Sequence, residues 1–283
     1  MSFALITGAA KGIGRAIAEE LAIRKYHLIL VDKDADELYA STRILESRYI
    51  VQVIPLHIDL TSAGGVEQLI SFTQPYHEWL NVVVNYAGYG LTKLSQQISL
   101  HDQLSVIDFN IKALVKIAYA YTPVLKKSAK GYFLNIACPG KAYHSASALN
   151  VYESANAFVL SFTNGLQQEL SQSNVQVSCL SRKKQTSYFL NNSKKNVAQY
   201  NLTPETLANI AVNGLFKGIH EIVPIFSTIA FNFFTKLFSK NSTKKTYAVM
   251  NHKKDNWIDP AMTNRLFKTV KTRRTSVNSQ GAF

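Results

Sequence analysis

Apolar residues come in short continuous runs, separated by longer stretches of helical period. The runs fall at 3–7 (FALIT), 27–32 (HLILVD), 50–58 (IVQVIPLHI), 80–85 (LNVVVN), 132–137 (YFLNIA), 175–180 (VQVSCL) and 221–225 (EIVPI). Between them lie helical patterns near 12–25, 34–47, 64–73, 101–127, 151–173 and 203–218. A strand apolar at every position is buried on both faces, and strands alternating with helices build parallel sheets. With right-handed crossovers, this pattern predicts a doubly wound α/β fold of about seven strands with helices on both faces.

Length and composition agree with one such domain. The chain has 283 residues, 47% of them hydrophobic, enough for a substantial core. No repeat period of solenoid or propeller type recurs. Residues 1–240 read as the folded domain and 241–283 as a polar, basic extension. The first apolar run starts at Phe3, almost at the initiator methionine, and the expectation is a cytoplasmic protein. Two cysteines, Cys138 and Cys179, make neither a disulfide framework nor a metal spacing, so no metal is expected.

The net charge of +13 is concentrated at one end. From Lys236 onward there are eleven Lys or Arg against Asp255 and Asp259, a net +9, which leaves +4 for the preceding 235 residues. The tail reads as a solvated extension, and no nucleic-acid partner is expected. Residues 222–245 carry a different signal. Read as a helix, Phe226, Ile229, Phe233 and Leu237 fall on one face, followed by Lys240, Lys244 and Lys245. That stripe suits a lid over a cleft or a subunit contact, with an anionic membrane surface as the alternative.

The candidate chemistry begins where the first run ends. In "TGAAKGIGRAIAEEL", Gly8, Gly12 and Gly14 stand between a strand and an amphipathic helix, with Lys11 and Ile13 among them. Glycine there allows positive φ and close approach of a ligand to the backbone. The helix N-terminus offers N–H groups and partial positive charge to a pyrophosphate. The second run ends in Asp32, placed to accept hydrogen bonds from adenosine ribose hydroxyls and to repel a 2′-phosphate. This favours NAD over NADP, while the positive charges of Lys11 and Lys33 pull toward NADP.

The order of these motifs resembles the short-chain dehydrogenase/reductase family over roughly residues 3 to 225. Thr7-Gly8-x-x-x-Gly12-x-Gly14 is similar to the family's glycine motif. "HIDLT" puts Asp59 where the family holds the adenine ring. "NYAG" (Asn85, Tyr86, Ala87, Gly88) matches the family's Asn-Asn-Ala-Gly at three of four places, and "DFNIKAL" puts Asn110 at the family's helix asparagine. The resemblance implies an NAD(P)-dependent oxidoreductase acting on a carbonyl or alcohol, usually a homodimer or homotetramer. Pairing would use the helices at 101–127 and 151–173, which carry apolar residues on more than one face.

The resemblance departs at the chemistry. "VYESANAFV" reads as the start of a buried helix carrying one exposed tyrosine, Tyr152, at the family's acid/base position. The family's lysine four residues on is Asn156, and its serine after the fifth strand is Cys138. The Pro-Gly after the sixth strand is Ser181-Arg182, although Thr186 matches the threonine that often contacts the carboxamide. An unperturbed phenol has a pKa near 10, so about one in a thousand is ionised at neutral pH. A positive charge roughly 5 Å away contributes about 3 kcal/mol at an effective dielectric of 20, or about two pKa units. Asn156 cannot supply that, and the Cys138 thiol is a weak donor where a hydroxyl is wanted. Arg182, Lys183, Lys184, Lys141 and His144 are surrogate candidates. Three readings stay open: an enzyme slowed by these changes, a non-catalytic dinucleotide-binding sensor or partner subunit, and a membrane-surface protein acting through 222–245.

Overall fold

The strands that the apolar runs predict all form and join one parallel sheet. The computed structural model describes residues 1–86, 98–137, 150–181 and 202–224, and Met1–Pro224 forms one compact unit. The strands are β1 (Phe3–Thr7), β2 (His27–Asp32), β3 (Val53–His57), β4 (Leu80–Asn85), β5 (Gly131–Ala137), β6 (Val175–Ser181) and β7 (Glu221–Ile222). The helices are α1 (Gly12–Ile23), α2 (Ala35–Arg48), α3 (Gly65–Thr73), α4 (Leu100–Ile107), α5 (Leu114–Lys127), α6 (Asn150–Glu169) and α7 (Pro204–Phe216). The sheet order is β3-β2-β1-β4-β5-β6-β7, with every pairing parallel.

Successive strand residues feed two separate cores, which is why the runs are apolar at every position. Ala4, Ile6, Leu28, Leu30, Val82, Val84, Leu134 and Ile136 pack with α1, α2 and α7 through Ile17, Leu21, Leu38, Leu45, Ala208 and Leu215. Their neighbours Phe3, Leu5, Ile29, Val31, Val83 and Phe133 pack the other way, with α3, α5 and α6 through Leu69, Ile117, Tyr121 and Leu166. A one-residue slip of any central strand would exchange its two core sets, so register is fixed by packing on both sides.

The strand order reverses between β1 and β4. A doubly wound sheet opens a crevice at that point, outside the carboxyl ends of its strands. Gly8 follows β1 there, and Tyr86 follows β4.

The expected helix at 101–127 is not continuous. A π-helical turn, Asp108–Ala113, separates α4 from α5 and carries Asn110. Each π turn accommodates one extra residue and is found mostly as a local bulge, frequently at functional sites. Asp108 pairs with Lys112 across this turn at 2.6 Å. Among the described residues no helix is long and apolar enough to cross a membrane. Ala87, Gly88, Cys138, Lys141, His144, the loop from Arg182 through Thr186, the stripe beyond Pro224 and the boundary expected near residue 240 lie outside the described residues.

Candidate active site

The glycine turn is held on three sides. The Thr7 hydroxyl joins the ends of β1 and β4, accepting from Tyr86 N at 3.0 Å and donating to Tyr86 O at 3.3 Å. Ala10 donates its N–H to Asp32 Oδ2 at 3.0 Å and accepts from the Ser41 hydroxyl on α2 at 2.6 Å. The turn is therefore fixed to β4, β2 and α2 before any ligand arrives.

Each glycine has its own steric reason. Gly8 has φ +64°, and a Cβ on it would sit 2.7 Å from the Tyr86 carbonyl oxygen. A Cβ on Gly14 would overlap the Gly8 carbonyl. Gly12 differs: φ is +60°, and nothing lies within 4 Å of where its Cβ would be. The first two glycines serve packing of the chain against itself, while Gly12 bends the backbone beside open space. From Gly12 runs α1, whose N-cap residue Lys11 makes no side-chain cap bond and whose first turn has no acidic residue. That helix end keeps its partial positive charge available to an anion. Ile13 packs half-buried against the core beneath.

Around this turn lies a cavity of about 600 Å³, in the range of small-molecule sites. One wall is Gly8, Lys11, Gly12, Asp32, Asp59 and Tyr86. The facing wall comes from α4 and the π turn, through His101, Asp102, Ser105 and Phe109. Asp32 accepts from two backbone N–H groups, Ala10 on Oδ2 and Asp34 on Oδ1 (3.1 Å). Asp59 accepts from Thr61 N at 2.8 Å and Thr61 Oγ1 at 2.6 Å. Burial works against the Asp59 carboxylate, but the Thr61 hydroxyl and N–H bonds and the Lys33 charge outweigh it and hold its pKa below the usual aspartate value. Lys11 reaches Asp34 Oδ2 at 3.0 Å.

Asn85, at the end of β4, donates to Leu114 O at 3.3 Å and so ties the sheet to the start of α5. Asn85 is 1% exposed and is not among the residues lining the cavity.

The tyrosine end of the site is built differently. Tyr152 is not exposed, as its position in the helical pattern suggests, but 5% exposed. Its ring packs with Val106 of α4 and Ala155, beside Ile98, Ile111 and Val151. The cause is α4 and the π turn, which pack across the first turns of α6. Asn156 turns back on its own helix, donating Nδ2 to the Tyr152 carbonyl oxygen at 3.0 Å. Asn110 is 2% exposed, and its Oδ1 has no hydrogen-bond partner. A buried acceptor left so is costly, by about 1–3 kcal/mol, unless a donor such as water or a ligand reaches it.

Sequence reasoning missed three features. Tyr86, noted only as the mismatch in "NYAG", lies against Gly8 and Gly14 and lines the cavity. Asp34 was not singled out, although an aspartate two places beyond β2 and just before a helix is a capping signal. The cavity face of α4 had no signal beyond its apolar period.

Comparison with known proteins agrees with this architecture. The short chain dehydrogenase family model matches residues 2–187. An uncharacterized oxidoreductase of Staphylococcus aureus (strain USA300) is 30% identical over 178 residues, covering 63% of this chain and 75% of the relative. Among solved structures, the bulky-bulky ketone specific alcohol dehydrogenase of Comamonas testosteroni superposes with a TM-score of 0.68 at 20% identity, covering 92% of this chain and 97% of that one. The L-sorbose reductase of Gluconobacter frateurii, complexed with NADPH and L-sorbose, gives 0.67 at 20% identity, covering 79% and 94%. At such identities the structural likeness speaks for the fold, while the family match spans most of the described sheet and its glycine turn. The chain is a member of the short chain dehydrogenase family.

Proposed function

We propose that this protein binds a nicotinamide dinucleotide, NAD(H) in preference to NADP(H), and acts as an oxidoreductase on a carbonyl or alcohol with turnover slowed by its altered proton relay. The observation that carries the binding half is Gly12, whose backbone bends at positive φ beside open space at the head of an uncapped helix. The residues present fit the group. The α1 N-terminus with Gly12, Ile13 and Gly14 would hold the pyrophosphate, Asp32 the adenosine ribose and Asp59 the adenine. Asn85, Ala87, Gly88 and Thr186 belong to the same path by family resemblance. The cofactor supplies the hydride chemistry, and this chain supplies position and protons.

On the proton side, Tyr152, Asn110, Cys138 and Asn156 occupy the family's catalytic positions. The Asn156 bond to the Tyr152 carbonyl supports the reading that the lysine's work is not taken over by its replacement. That same observation, with the burial of Tyr152, favours a second reading in which the chain binds the dinucleotide without turning it over, as a sensor or partner subunit. Titration with NADH and NADPH, followed by turnover with a panel of aldehydes and ketones, separates the two. Binding with slow oxidation of NADH supports the enzyme, binding with none supports the sensor, and absence of binding ends both.

Assembly with a second copy belongs to this reading. A groove of about 390 Å³ runs between α5 and α6, lined by Val115, Tyr119, Pro123, Phe162 and Leu166. Tyr119 is 85% exposed there, and Phe158 stacks on the half-buried Phe162 at 5.8 Å. Two such faces meeting across a two-fold axis would cover aromatic surface that the sheet leaves bare. Sedimentation at micromolar concentration tests it. A dimer or tetramer is the expected result, weakened by Tyr119→Asp, and a monomer would refute it.

A further inference from the structure

At the cavity's adenosine end, a lining lysine is paired with a carboxylate just outside the cavity, a pair that the site described so far does not use. Lys11 sits on the cavity wall inside the glycine turn, and its Nζ lies 3.0 Å from Asp34 Oδ2. Asp34 is itself fixed. Its backbone N–H donates to Asp32 Oδ1 at 3.1 Å, and its Oδ1 accepts from Glu37 N at 3.4 Å as the N-cap of α2. The ammonium of Lys11 is thus held beside the carboxylate that meets the ribose.

The geometry points to Asp34 as a specificity-determining residue: by holding and neutralising Lys11, it withholds the cation that a 2′-phosphate would need and so sets the preference for NAD over NADP. This rests on the dinucleotide reading above. A 2′-phosphate brings about two negative charges into a space bordered by Asp32 and Lys11, with Asp34 bonded to Lys11 just outside it. With Asp34 ionised, Lys11 cancels Asp34 and leaves Asp32 to repel the phosphate. With Asp34 neutral, Lys11 is released toward the same position and the local charge rises by one. The bond and charge of Asp34 hold the Lys11 pKa above its usual value, and the Lys11 bond holds the Asp34 pKa below its own, so both groups are charged across the neutral range. The pair is solvent-exposed and adds little to folding. Its consequence is a difference between two ligands, which screening reduces but does not abolish.

The test uses the full chain and measures affinities for NADH and NADPH by nucleotide fluorescence at low ionic strength. Asp34→Asn keeps the helix cap, as does Asp34→Ser should the first variant fold poorly. The NADPH-to-NADH affinity ratio is expected to rise about tenfold in either variant, and the gain should vanish when Lys11→Met is added. An unchanged ratio with nucleotide still bound overturns the inference and leaves the dinucleotide reading standing. A gain that survives Lys11→Met overturns it too, since the released cation would not be its source. Failure of the unsubstituted protein to bind either nucleotide overturns the reading and the inference together.

Discussion

The glycine turn and the head of α6 lie in one domain but hold their residues by different means. At the turn, backbone geometry does the holding. Ala10 is bonded to Asp32 and Ser41, Thr7 bridges to Tyr86, and Gly14 has no room for a Cβ against Gly8. At the head of α6, side chains do the holding, and only some of the candidate residues take part in it. Tyr152 and Ala155 fill an apolar cluster, Asn156 bonds only back to Tyr152 O among its described contacts, and Asn110 Oδ1 is without a partner. A side chain added at Gly8 or Gly14 breaks the fold locally. Asn156 sits on α6 with its amide turned back on the Tyr152 carbonyl, so the helix accepts that side chain without any hydrogen bond elsewhere among the described residues. A fold built in this way tolerates change at the head of α6 more readily than at the glycine turn.

The largest effect should come from Gly14→Ala. Its Cβ would overlap the Gly8 backbone, which cannot rotate aside, and we predict a loss of about 3 kcal/mol. For a domain of this size that lowers the melting temperature by about 6–12 °C in calorimetry and removes nucleotide binding. Gly12→Ala sharpens the contrast. It meets only the strain of positive φ, about 1–2 kcal/mol, yet fills the space where the pyrophosphate would lie. Binding should fall more than stability does, and equal losses would show that Gly12 serves packing like its neighbours.

On α6 the comparison can be broken from the other side. Asn156→Lys with Cys138→Ser should raise turnover of bound NADH with a carbonyl substrate about a hundredfold, from the two-unit effect of a nearby cation and a restored hydroxyl. Tyr152→Phe added to that pair should abolish the gain. If the double substitution changes nothing while nucleotide still binds, the sensor reading is favoured over the slow enzyme.

A smaller effect concerns pH. Asp59, held below its usual value by Thr61, stays ionised as pH falls toward 4, and Lys11, held above its usual value by Asp34, stays charged as pH rises toward 10. Affinity for NADH should therefore be level between about pH 7.5 and 9.5. Turnover in the alcohol-oxidising direction, with NAD and an alcohol, should climb across the same window if a phenol of ordinary pKa is the proton acceptor. A flat turnover profile would point to another group.

Much of the fold was readable because its strands are buried on both faces. Phe3, Leu5 and Ala4, Ile6 report two cores at once, and every predicted strand appears within a few residues, β3 and β7 being shorter at their ends. The break at Asp108–Ala113 was not readable. Val106, Phe109, Ile111 and Leu114 keep an apolar period through it, and one inserted residue only shifts the face they occupy. Burial of Tyr152 was missed for the related reason that it depends on α4 crossing α6, a long-range packing that periodicity does not encode. Gly8, Gly12, Asp32 and Asp59 line one cavity, while Gly14 packs against the Gly8 backbone beneath it, a division that the order of the motifs does not reveal. The Lys11–Asp34 pair was not readable either, since it joins two loops 23 residues apart.

The central claim is that the glycine turn binds a nicotinamide dinucleotide independently of the residues at the head of α6. Isothermal titration of NADH into the full chain tests it most directly. The account predicts one site per chain with a dissociation constant on the order of micromolar, lost in Gly14→Ala and retained in Tyr152→Phe. Absence of binding at about millimolar NADH and NADPH, or binding that survives Gly14→Ala, would contradict it.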